Sequence, residues 1–149
     1  MIRISILIAI IALAASHSIA ADTPGKDDKK LMEKAQKLHK RMITIDTHAD
    51  IETSFATPER NPGTRLSNQK VDLVKMEEGG LDAVFFAVYV GQAELSKESY
   101  AAAYDAALLK FAAIHRMCLT MNPDRVSLAL SPGDVQKIRK KGKRIALIG

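Results

Sequence analysis

Apolar residues in this chain come either as continuous runs or at three- and four-residue steps, and the two patterns take turns. The first run, residues 4–15, follows the single cation Arg3 and leads to Ser18-Ile19-Ala20. Its length is well short of the roughly 20 residues a spanning helix needs, and small side chains stand where a signal peptidase cuts. Residues 1–20 are therefore expected to be a signal peptide cleaved after Ala20, which exports the mature protein to the periplasm or beyond. An uncleaved anchor is the alternative. No cysteine lies beside the cut, so no lipid attachment is expected there.

Residues 21–41 read as an N-terminal segment with a surface helix over 27–41, where acids come first, cations later, and Leu31, Ala35 and Leu38 recur at helical spacing. Met42-Ile43-Thr44-Ile45 predicts a short buried strand. A Pro- and Gly-containing stretch to Leu66 predicts a loop, long enough to suggest a function or ordering by a further part of the fold. Residues 68–78 predict a helix with Ser67 as its cap, Val71, Leu73 and Val74 on its apolar side, and Gly79-Gly80 as its stop.

The unbroken apolar run 83–90 predicts a strand buried on both faces. Residues 96–121 predict a long helix whose stripe is Tyr104, Leu108, Phe111, Ile114, Cys118 and Met121, ended by Asn122-Pro123. A short strand over 126–130 follows, then a helix capped by Ser131 and closed at Gly142, then a buried strand from Arg144 to Gly149. From Met42 onward strand and helix alternate, which indicates a parallel α/β architecture, either a doubly wound sheet or a closed barrel.

A closed eight-stranded barrel takes roughly 250 residues, and about three main strands are on hand here. The final strand would also leave an apolar edge unpaired. A barrel reading therefore makes 42–149 the first part of a larger α/β domain.

Composition changes this picture little. Hydrophobic residues make up 47% and charged residues 26%, the balance of an ordinary globular chain. The formal charge is +5, and cations gather at Lys137, Arg139, Lys140, Lys141, Lys143 and Arg144. They fall at the end of a predicted helix, where they complement exposed carbonyls, and few aromatics are interleaved to stack bases. Nucleic acid is therefore not an expected partner. The single cysteine, Cys118, has no partner within the chain, so it is a buried thiol or pairs elsewhere.

The chemistry concentrates in Asp46-Thr47-His48-Ala49-Asp50. Alternate residues of a strand share a face, so an extended segment would project Asp46, His48 and Asp50 together at the carboxyl end of the first core strand. That end carries the active site in α/β sheets and barrels. An imidazole beside two carboxylates suits a divalent metal, zinc being the common hydrolytic choice. A plain turn, with Asp46 or Asp50 capping backbone amides, is the competing reading. No Gly-rich phosphate loop, H-E-x-x-H pair, G-x-S-x-G elbow or C-x-x-C is present.

The segment Ile45-Asp46-Thr47-His48-Ala49-Asp50-Ile51 resembles the first-strand motif of the membrane (renal) dipeptidases. Residues 71–90 resemble that family's first helix and second strand, Ile114-His115-Arg116-Met117 its next helix, and Gly142-Lys143 with 145–149 the segment before the glutamate that bridges its two zinc ions. The resemblance implies a (β/α)8 TIM-type barrel, of which this chain holds the N-terminal portion, and a metallodipeptidase using two zinc ions.

It further implies that His48 and Asp50 are zinc ligands, with Asp46 in a supporting role. A hydroxide generated at the metals would attack the peptide carbonyl of a dipeptide substrate. The bridging glutamate and the later ligands would lie beyond Gly149, so this portion alone is expected to be inactive. A homodimer stays open. So do two other functions, a different metal-dependent amidohydrolase on the same barrel and a non-catalytic exported binding module. Among the other histidines, His39 reads as a surface residue and His115 as a packed one; Tyr89 reads as either packed or facing substrate.

Overall fold

The computed structural model describes residues 25–149, so the signal-peptide reading of residues 1–20 lies outside the described residues. Helix α1 spans Lys26–Arg41, with Asp27 and Asp28 in its first turn and His39, Lys40 and Arg41 in its last, as the charge pattern predicts. It buries none of its side chains. Its C-terminal end is held to the body by Arg139, which donates to the carbonyls of Lys40 and Met42.

Four strands follow: β1 Ile45–Asp50, β2 Ala83–Ala87, β3 Val126–Leu128 and β4 Arg144–Ile148. All pair in parallel, in the order β1-β2-β4-β3. Between them run α2 Leu73–Gly79, α3 Lys97–Arg116 continuing into a π-helical turn at Met117–Met121, and α4 Pro132–Lys140.

The register sorts the sheet's side chains onto two faces. Val84, Phe86, Ala146 and Val126 share one face and pack against Leu73 and Met76 of α2 and Ala113, Ile114 and Met117 around the end of α3. Each large side chain buried here contributes about 1.5–3 kcal/mol. On the other face Ala83 and Ile145 meet Ile138 of α4. Helices thus lie on both faces, as in a doubly wound sheet. Because Ala83 and Ile145 stand near the amino ends of their strands, α4 covers only that end. Beyond it an apolar cavity of about 510 Å³ lies open between Ile45, Phe85, Leu147 and Val135.

The amino ends of β1 and β2 are joined by side chains. The Thr44 hydroxyl donates to the Gly80 carbonyl at 2.7 Å and accepts from the Asp82 amide at 2.8 Å. The Asp82 carboxylate takes the Thr44 amide in return and pairs with Arg139 and Arg144.

Several boundaries differ from the sequence reading. The first strand starts at Ile45 and runs through the motif rather than ending before it. Helix α2 begins at Leu73 instead of Asn68 because Asp72, not Ser67, is its cap: Asp72 Oδ1 accepts from the Lys75 amide, while Oδ2 accepts from the Leu66 amide and pairs with the Lys75 ammonium. Strand β2 stops at Ala87, short of Val90. In α3 only Ala113 and Ile114 are buried. Tyr104, Leu108 and Phe111 stay exposed, because the helix meets the sheet only near its C-terminal end.

The loop after β1 is ordered from within. Phe55 is fully buried, its ring 5.6 Å from that of Phe86. Arg116 donates to the carbonyls of Ala56 and Phe55, and Asn122 donates to Asn61 at 2.9 Å. Arg125 donates to the carbonyl of Gly63. A side chain on Gly63 would collide with Asn122, since a Cβ would stand 2.0 Å from its Oδ1, so glycine is required there. Among the described residues no helix is long and apolar enough to cross a membrane.

Candidate metal centre

The motif lies within β1, and β1 is not regular. Asp46 stands opposite Val84 and Ala49 opposite Phe86, so three steps on β1 match two on β2. One extra residue at Thr47-His48 forms a β-bulge. Pairing carries Asp46 to the face of Val84 and Asp50 to that of Ala87. His48, adjacent to Ala49, alternates to the Asp50 side. The expected trio on one face is therefore a pair, His48 with Asp50.

His48 Nε2 lies 3.3 Å from Asp50 Oδ1, and both side chains are well exposed, at 64% and 69%. Asp46 does not join them. Its Oδ1 accepts the backbone amide of His48 at 2.9 Å. The Asp50 backbone is fixed from behind by Gln69, whose side-chain amide donates to the Asp50 carbonyl at 2.8 Å, and by the fully buried Ile51. Gln69 is itself buried. It belongs to no motif, and it stands in the polar run Ser67-Asn68-Gln69-Lys70, so nothing in the sequence marks it out.

Beside the pair is a cleft of about 420 Å³ at the carboxyl ends of β1 and β2, lined by Asp50, Glu52, Tyr89, Gly91 and Lys110 among others. Tyr89 is exposed rather than packed, and its carbonyl accepts the Lys110 ammonium at 2.7 Å. The larger groove between α1 and the end of α2 is remote from this chemistry.

The donor set fits half of a zinc site. In a tetrahedral site with bonds of about 2.05 Å to nitrogen and oxygen, neighbouring ligand atoms stand about 3.3 Å apart, the separation of this pair. The separation is thus that of two ligand atoms on one metal. Among the described residues no group of three His, Cys, Asp or Glu side chains gathers to hold a metal.

Residues 32–149 match the profile of the membrane dipeptidase family, peptidase family M19. The chain belongs to the membrane dipeptidase family. Its fold resembles the crystal structure of the probable dipeptidase PvdM from Pseudomonas aeruginosa, with a TM-score of 0.70 and 21% identity over 80% of this chain. It spans 30% of the length of that protein. No curated protein matches the chain.

Cys118 is a buried thiol that burial pushes up to about 12, so it stays protonated and is no nucleophile near neutral pH. His115 is exposed on α3, not packed as the sequence suggested, and His39 lies on α1 with its ring over Gly80.

Proposed function

We propose that the whole protein is an exported, zinc-dependent dipeptidase in which His48 and Asp50 bind one of two zinc ions. The observation that carries this is the convergence of His48 Nε2 and Asp50 Oδ1 at 3.3 Å on the open carboxyl end of a parallel sheet, in a chain of the membrane dipeptidase family. Zinc, when bound, supplies a Lewis acid and lowers the pKa of water to about 7. The chain's own residues supply position. Gln69 and Ile51 hold the Asp50 backbone, Asp46 holds the His48 amide, and the cleft beside Asp50 has room for a small peptide.

The sheet is compatible with the first part of a (β/α)8 barrel. Strands β1, β2 and β4 lie side by side in chain order, as successive barrel strands would. Short β3 pairs only with Arg144, Ile145 and Ala146, which leaves the carboxyl half of that edge of β4 open to a further strand. Export follows from the signal-peptide reading of residues 1–20.

Replacing His48 with alanine in the full-length protein tests the assignment. Bound zinc falls by about half and dipeptide hydrolysis drops at least about 100-fold if His48 is a ligand to one of two catalytic ions. Unchanged zinc content and activity would exclude it.

A further inference from the structure

We propose that Asp46 is a positioning residue: through its bond to the His48 amide it holds the β-bulge that turns His48 and Asp50 together onto the face opposite Asp46. The inference rests on the zinc reading for its functional meaning but on the backbone of β1 for its substance. In a regular strand residues 46, 48 and 50 would share a face, and a one-residue change of register transfers every later side chain to the opposite face. Here Asp46 pairs with Val84 on the face covered by α2 and α3, while Asp50 pairs with Ala87 on the other.

The bulge at Thr47-His48 makes that exchange possible, and it interrupts the ladder where it occurs. An amide displaced from the ladder needs an acceptor. Asp46 Oδ1 supplies one at 2.9 Å, a bond strengthened by the carboxylate's charge. With its oxygen on a backbone amide, Asp46 is turned away from the ligand pair. His48 Nε2 and Asp50 Oδ1 meet as they do because the chain between them starts from a fixed turn.

The requirement is for an acceptor oxygen, not for a negative charge. Asparagine satisfies it and alanine does not. In the metal-free full-length protein, the His48 amide should be protected from hydrogen exchange in wild type and in Asp46→Asn, and exchange at least about tenfold faster in Asp46→Ala. Equal exchange in all three would overturn the proposal.

Zinc titration against a competing chelator gives the second readout. Asp46→Asn should keep the wild-type affinity within about threefold, and Asp46→Ala should lose about 10- to 100-fold. Equal losses in both variants would make the carboxylate a ligand and overturn the positioning role. Wild-type protein that takes up no zinc would instead remove the metal reading, and the exchange pattern would still decide whether Asp46 holds the bulge.

Discussion

Single residues decide where this chain turns, and two of them have measurable consequences. Asp72 is fully buried at the start of α2. Burial alone would raise its carboxyl, but the amides of Leu66 and Lys75 and the Lys75 ammonium outweigh that and hold it below its ordinary value. A carboxyl lowered in the folded state contributes stability that is present above its unfolded value near 3.8 and is lost as pH falls through the lower folded value. Replacing Asp72 with alanine should cost about 3 kcal/mol at neutral pH, measured by denaturant unfolding, and should flatten the acid limb of the stability curve. Gly80 caps the other end of α2 at φ 67°, and a Cβ there would stand 2.6 Å from the His39 ring. Gly80→Ala should cost about 1–2 kcal/mol for the backbone and more for the clash. Adding His39→Ala should recover only the second part.

At the scale of elements, regular structure was legible in the residue pattern and its ends were not. Continuous apolar runs marked β2 and β4, and Ser131-Pro132 marked the start of α4, because burial on both faces and capping leave plain local patterns. The start of α2 was not legible: Asp72 is chosen as cap over Ser67 by partners at Leu66 and Lys75 that only the folded loop supplies. The bulge in β1 was hidden too, since it is a relation between two strands. So was the exposure of Tyr104, Leu108 and Phe111, whose helical spacing is the same whether or not a sheet lies beneath. The loop after β1 depends on α3 in the same way. Phe55→Ala should destabilise the protein by about 3–5 kcal/mol and make the backbone near Ala56 open to proteolysis, because it removes the contact with Phe86 that Arg116 reinforces.

For the whole molecule, the sheet does one thing for function: it delivers an imidazole and a carboxylate to its carboxyl end and backs them with a buried amide and a packed core. The motif could be read as metal-binding from its residue types and position, but the separation of Asp46 from the His48–Asp50 pair, on which the proposed roles rest, appears only when β1 is laid against β2. The most direct measurement is an anomalous diffraction map at the zinc edge from crystals of the full-length protein. A zinc peak is expected about 2.0–2.2 Å from both His48 Nε2 and an Asp50 carboxylate oxygen, with Asp46 still on the His48 amide. Zinc bound by other residues, with His48 and Asp50 left paired only to each other, would contradict it.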